Sequence, residues 1–164
     1  AFYNCTTIVE IIFHENITSI GQFAFYGCEN LKSVYIPENC TLIGAGAFSC
    51  CYMLEKVNLP SQLRTINKST FYRCRSLKNI ELPDWITHID RGAFEGCTNL
   101  KTVKFGVGLS EIGARAFYGC TSLEKVKTTR TLTSASLQYS ISLELSFLRE
   151  SSRGKRMAST KNLS

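Results

Sequence analysis

Cys5, Cys28, Cys51, Cys74, Cys97 and Cys120 stand 23 residues apart, with no insertion or deletion between them. A spacing held so strictly through six occurrences is the signature of a solenoid, in which each repeat is one coil stacked on the last. A coil of this length cannot bury its own apolar face, whereas stacked coils bury a continuous core. Stability must then come mostly from contacts between neighbours.

Aligned on the cysteines, the unit reads Ile-Gly-x-x-Ala-Phe-x-x-Cys-x-x-Leu-x-x-Val-x-Leu-Pro-x-x-Leu-x-x. Its aromatic column is Phe2, Phe25, Phe48, Phe71, Phe94 and Phe117, preceded by Ala except at Thr70. Aliphatic columns run Ile8, Leu31, Leu54, Leu77, Leu100, Leu123 and Ile11, Val34, Val57, Ile80, Val103, Val126. Two more hold Phe13, Ile36, Leu59, Leu82, Phe105 and Ile20, Ile43, Ile66, Ile89, Ile112.

Spacings mostly of three fit neither a continuous helix nor a single strand, so the unit must turn several times. One segment alternates cleanly, as in Val34-Tyr35-Ile36, Ile80-Glu81-Leu82 and Val103-Lys104-Phe105, and is expected to be a short strand. Pro37, Pro60 and Pro83 follow and lack the donor needed to extend a ladder. Gly21, Gly44, Asn67, Asp90 and Gly113 share a position whose residue types tolerate a left-handed backbone, so a tight turn is expected there. Gly27, Gly96 and Gly119 share another, but Cys50 and Arg73 interrupt it, which argues against a positive φ at that site. Between these columns one turn of α-helix or 3₁₀ structure is expected. The fold expected is therefore a repeat solenoid of short parallel strands on one face and turns or short helical segments on the other.

The Ile-Gly start, Ala-Phe, Gly-Cys, Leu-x-x-Val and Leu-Pro elements, as in Ile20-Gly21, Ala24-Phe25, Gly27-Cys28, Leu31, Val34 and Ile36-Pro37, closely resemble the BspA-like (Treponema-type) leucine-rich repeats. The resemblance covers about residues 1–128, some five and a half units. It implies a non-enzymatic module of surface proteins of bacteria and anaerobic protists that mediates adhesion, often to host or matrix proteins. An intracellular leucine-rich repeat scaffold or regulatory module is the alternative reading. Ala1–Cys5 already reads as the second half of a repeat, so the chain is expected to be part of a longer protein.

Stacked equivalent cysteines would hold their Cβ atoms about 4.8 Å apart in parallel, whereas disulfides prefer about 3.8 Å. The column is therefore read as packed free thiols. Zinc needs converging ligands, and there is no C-x-x-C pair; Cys50–Cys51 is vicinal and Cys40 stands alone. His14 and His88 occupy different repeat positions, Asp90 lies two residues beyond the second, and no nucleophile column accompanies them. Gly106-Val107-Gly108 lacks the third glycine of a dinucleotide loop and reads as a variant of the Leu-Pro turn. No catalytic residue, metal or cofactor is assigned.

The net charge is +6, but residues 129–164 hold six basic against two acidic residues, leaving the repeats close to neutral. That distribution argues against a nucleic-acid face on the repeats. No run of 18 apolar residues is present to insert in a bilayer. Sequons at Asn4, Asn16, Asn39, Asn67 and Asn162 lean toward a secretory route. After Cys120 the register fails: Leu137, Tyr139, Ile141, Leu143, Leu145 and Phe147 alternate with polar residues. Residues 129–148 are expected to supply a capping or packing strand and 149–164 a disordered basic Ser-rich tail. Lys155-Arg156 in that tail reads as solvated charge rather than as a membrane or nuclear signal.

The outward strand positions are Glu10, Ile12, Ser33, Tyr35, Lys56, Asn58, Asn79, Glu81, Thr102, Lys104, Lys125 and Lys127. They vary from coil to coil while the core columns do not, which suits an extended protein-binding face. The binding candidates are Ser33, Tyr35, Lys56, Asn58, Asn79, Glu81, Thr102 and Lys104. The expected partner is a host, matrix or self surface protein, and the expected location is the cell surface or outside it.

Overall fold

The computed structural model describes residues 1–128. The expected capping strand at 129–148 and the tail at 149–164 lie outside the described residues, as does Asn162. Eleven short strands follow in chain order: β1 (Glu10–Ile12), β2 (Ser19–Ile20), β3 (Ser33–Tyr35), β4 (Leu42–Ile43), β5 (Lys56–Val57), β6 (Thr65–Ile66), β7 (Asn79–Glu81), β8 (His88–Ile89), β9 (Thr102–Phe105), β10 (Glu111–Ile112) and β11 (Lys125–Thr128).

Odd-numbered strands stack as the expected parallel ladder, each residue pairing with its equivalent 23 positions on: Glu10 with Ser33, Ser33 with Lys56, Asn79 with Thr102, Thr102 with Lys125. The even-numbered strands form a second parallel ladder, which the alternation of the sequence did not reveal because each strand is only two residues long. Its inward member is the buried isoleucine column from Ile20 to Ile112.

Both ladders are interrupted once. The first divides into β1-β3-β5 and β7-β9-β11, the second into β2-β4 and β6-β8-β10. Two asparagines of the coil carrying β5 and β6 change the bonding near these breaks, Asn58 within the intact β3-β5 pair and Asn67 across the gap between β4 and β6. The amides of Phe13 and Leu82 donate to the main-chain carbonyls of Tyr35 and Lys104 on the next coil. The equivalent amide of Ile36 instead donates to the side-chain Oδ1 of Asn58 at 2.7 Å, and Asn58 Nδ2 returns a bond to the Ile36 carbonyl at 2.6 Å. Likewise the amides of Gly44, Asp90 and Gly113 donate to the isoleucine one coil back, whereas Asn67 reaches the Ile43 carbonyl through Nδ2 at 2.7 Å. In this one coil, side-chain amides stand where main-chain groups stand elsewhere. The main-chain groups of Ile36 and Ile43 stay paired even though main-chain ladder bonds are missing there.

Opposite the first ladder, the chain forms overlapping turns rather than the expected helix or 3₁₀ segment. The amides of Ala24, Tyr26 and Cys28 each close a turn onto the residue three back, while those of Phe23, Phe25 and Gly27 donate to Ala45, Ala47 and Ser49 of the next coil. Alternate amides thus hold the coil together and join it to its neighbour, which a helix could not do.

These turns need positive φ at two columns, one that the sequence pattern did not mark and one where positive φ was not expected. One is Phe23, Gly46, Ser69, Gly92 and Arg115, from 52° to 64°. The other is the interrupted Gly column: Gly27, Gly96 and Gly119 take positive φ, and so do Cys50 at 61° and Arg73 at 58°. The requirement comes from the turn, whose third residue must be left-handed in type II geometry, and it holds whether or not glycine is present. The Gly21 column, expected to be left-handed, is not. Two of its glycines answer to crowding: a Cβ on Gly44 or Gly113 would lie 2.5 Å from the amide nitrogen of Gln22 or Arg91 on the preceding coil, whereas one on Gly21 would meet nothing within 4 Å.

Between the faces lies one core. Rings of Phe2, Phe25, Phe48, Phe71, Phe94 and Phe117 stack at centroid spacings from 5.2 to 5.8 Å and interplanar angles from 4° to 14°. The leucine and cysteine columns pack beside them. Thr70, standing where other coils have Ala, is fully buried, and its hydroxyl donates to the Asn67 carbonyl at 2.8 Å.

Candidate functional site

Alternation on the first ladder turns one side chain of each pair inward and the next outward, and parallel stacking brings the outward ones into two rows. The row Glu10, Ser33, Lys56 continues past the break between β5 and β7 as Asn79, Thr102, Lys125, and beside it the pairs Ile12–Tyr35 and Glu81–Lys104–Lys127 stack with Asn58 between them in sequence. The eight candidate residues therefore share one face, though in different states.

Tyr35 is 51% exposed and stands in register with Ile12, which is 74% exposed. Lys56, Asn79 and Glu81 are exposed, while Ser33, Thr102 and Lys104 are half-buried. Ser33 Oγ donates to Glu10 Oε1 at 2.9 Å. Lys104 Nζ forms an ion pair with Glu81 on the preceding strand. Asn58 is brought to the same face, but both ends of its amide are spent on the Ile36 main chain. It shapes the surface rather than offering a free hydrogen-bonding group.

Charge on this face is polarised along the solenoid. Glu10 lies near the exposed Ile12 and Tyr35, whereas Lys104, Lys125 and Lys127 gather on β9 and β11. In the register, Lys127 sits directly opposite Lys104. Like charges on directly opposed residues repel, by a modest amount where water screens them.

The cysteine column forms no site at this surface. Cys28, Cys51, Cys74, Cys97 and Cys120 are fully buried thiols, each donating to the Phe carbonyl of the preceding coil at 3.1 or 3.2 Å. Burial away from water pushes the Cys51, Cys74 and Cys97 thiols well up from their ordinary range. His14 and His88 remain apart. His14 Nδ1 accepts from the Asn16 amide, and His88 faces Thr87 and, at 3.6 Å, Glu111, rather than Asp90.

A second exposed feature lies off the strand face. Trp85 is 56% exposed, with the Arg64 guanidinium carbon 5.4 Å from its ring centroid. It occupies a loop column shared with Asn16, Asn39 and Gln62, so no repeat signal marked it. Its being the chain's one tryptophan was the signal available.

Comparison with known proteins agrees with this architecture. The sequence pattern described as the BspA type leucine rich repeat region matches residues 1–124 in six copies. A leucine-rich cell surface protein from Faecalibacterium prausnitzii superimposes with a TM-score of 0.74 at 30% identity, over 76% of this chain and 33% of that one. The Treponema pallidum leucine-rich repeat protein gives 0.70 at 31% identity, over 73% of this chain and 58% of its own. A leucine-rich repeat protein from Bacteroides ovatus gives 0.66 at 35% identity, over 73% and 33%. The chain thus spans from about a third to somewhat over half the length of these relatives. No curated protein sequence matches it. Among the described residues no helix is long and apolar enough to cross a membrane. Leucine-rich repeats are typically a non-enzymatic, protein-interaction fold, and on its repeat pattern, its register and its likeness to these structures this chain belongs to the BspA-type leucine-rich repeat family.

Proposed function

We propose that this chain is a non-enzymatic protein-binding module of a cell-surface or secreted adhesion protein, and that it binds through the strand face carrying Ser33, Tyr35, Lys56, Asn58, Asn79, Glu81, Thr102 and Lys104. The observation that carries the reading is the contrast between rows. Inward columns repeat the same few residue types from coil to coil, whereas the outward rows change at almost every coil and yet stack in register within each of the two ladder segments. Six coils at about 4.8 Å spread those side chains over a surface roughly 25 Å long, suited to an extended partner. Tyr35 supplies the kind of exposed aromatic anchor that dominates such contacts. The surface location is supported by the described nature of the Faecalibacterium protein.

The test is a combined Tyr35→Ala, Glu81→Lys and Lys104→Glu variant of the full chain, with Asn58 left intact because it braces Ile36. Loss of at least tenfold in affinity for the natural partner, with an unchanged circular dichroism spectrum, is expected. Undiminished binding by the folded variant sinks the reading. The buried thiols suit either compartment, so localising the full-length protein separates adhesion from an intracellular scaffold.

A further inference from the structure

The strand face is bipolar, and its two ends together specify a partner. At one end Ile12 and Tyr35 stand side by side, both more than half exposed. At the other, Lys127 lies in register with Lys104, and Lys125 with Thr102. Glu81 satisfies Lys104 from the preceding strand, but among the described residues no carboxylate pairs with Lys125 or Lys127. An anion laid across β9 and β11 would relieve the Lys104–Lys127 repulsion and engage the lysines left over. Residues 129–164 are a poor source of that anion, since they hold six basic against two acidic residues.

We propose that this face takes an extended acidic segment of a protein, lying along the solenoid axis with its apolar end on Ile12 and Tyr35 and its carboxylates on Lys104, Lys125 and Lys127; this rests on the protein-binding reading above and specifies the partner. From the Ile12 row position to that of Lys127 there are five coil spacings, or about 24 Å. A segment of about seven or eight extended residues spans that length at roughly 3.3 Å each. A sulfated polysaccharide would satisfy the lysines but leave Ile12 and Tyr35 without a role, and the coincidence of both ends on one face favours protein. Charge complementarity here sets orientation and on-rate, while the apolar end contributes burial.

Phage-displayed random dodecapeptides selected on the full chain provide the test. Wild-type protein is expected to enrich sequences with Asp and Glu toward one end and aromatic or aliphatic residues toward the other. A synthesised winner should bind at least tenfold more weakly to the Lys104→Glu, Lys125→Glu, Lys127→Glu triple variant and at least threefold more weakly to Ile12→Ser, Tyr35→Ser. Its affinity should fall as salt rises. All substituted side chains are at the surface, and circular dichroism confirms folding. Failure to enrich peptides, enrichment without acidic bias, or indifference to the triple variant overturns the proposal. So does an affinity for heparin that the triple variant abolishes while the selected peptides ignore Ile12 and Tyr35, which would mark a simple polyanion site. A natural partner that depends on Tyr35 and Glu81 but not on the three lysines would leave the protein-binding reading standing and remove this one.

Discussion

The Cys74 thiol donates to the Phe48 carbonyl at 3.2 Å, and that carbonyl already accepts the Cys51 amide from its own coil at 3.3 Å. A carbonyl oxygen has two lone pairs, and here one is used within the coil and the other between coils. The cysteine column therefore does two things at once: it fills core volume and completes a buried acceptor. That is a physical reason for cysteine at a position where alanine would fit.

Cys74→Ala is accordingly expected to cost about 1–3 kcal/mol, through the lost donor to a buried carbonyl and a small cavity. Urea unfolding under reducing conditions measures it. A loss below about 0.5 kcal/mol would mean the thiol is mere filling.

The same thiols predict a pH dependence. Burial raises the pKa of Cys51, Cys74 and Cys97 in the folded chain, whereas in the unfolded chain they ionise near pH 8.5. Above that pH the unfolded state binds fewer protons than the native state, so stability falls as pH rises; below it the contribution is complete. Each thiol contributes a slope of about 1.4 kcal/mol per pH unit. Unfolding followed from pH 7 to 10.5 with reductant present should show the decline. In Cys74→Ala the slope should be shallower by one thiol's share, and an identical slope would contradict the assignment.

Asn58 carries a third expectation. Its amide replaces a main-chain ladder bond to Ile36 and supplies both the acceptor for the Ile36 amide and the donor for the Ile36 carbonyl. Asn58→Ala should cost about 1–3 kcal/mol by leaving the Ile36 main chain underpaired in a half-buried site. Asn58→Asp should fall short of rescue, because a carboxylate can accept from the Ile36 amide but faces the Ile36 carbonyl with an acceptor. Thermal unfolding of the two variants tests this, and a fully stable Asn58→Asp would show that only the Oδ1 contact matters.

Much of the architecture was legible because the 23-residue register makes every column visible at once. Phe48, Leu54, Cys51 and Val103 could be placed in the core by their neighbours one coil away. The exposed face was legible by the same reasoning, since Tyr35, Glu81 and Lys104 follow from alternation about Val34, Ile80 and Val103. What remained hidden has a physical cause in each case. The second ladder was missed because two-residue strands such as Ser19–Ile20 show no alternation. Left-handed geometry is hidden because Cys50 and Arg73 are not residue types that favour it, whereas the turn closing from Phe48 to Cys51 or from Phe71 to Cys74 dictates φ regardless of type. Asn58 looked like an outward binding residue; its bond to Ile36 depends on the position of the preceding coil, which no column reveals.

Arg73 and Gly96 give the last prediction. They are equivalent residues of adjacent coils, both left-handed, at 58° and 76°, and a Cβ on Gly96 would lie 3.0 Å from Arg73 Cγ. Gly96→Ala should therefore lose about 1–2 kcal/mol from backbone strain, plus a crowding cost set by Arg73. Arg73→Gly relieves a similar strain but gives up the Tyr72 ring contact at 5.0 Å and some backbone entropy, so it should leave stability within about 1 kcal/mol of the parent. The decisive quantity is the coupling between them. In the Arg73→Gly background the crowding disappears, and Gly96→Ala should cost measurably less than it does alone. Denaturant unfolding of the four proteins completes the cycle. Strict additivity would show that strain in these turns is confined to each coil, whereas the predicted coupling would show that it passes from one coil to the next.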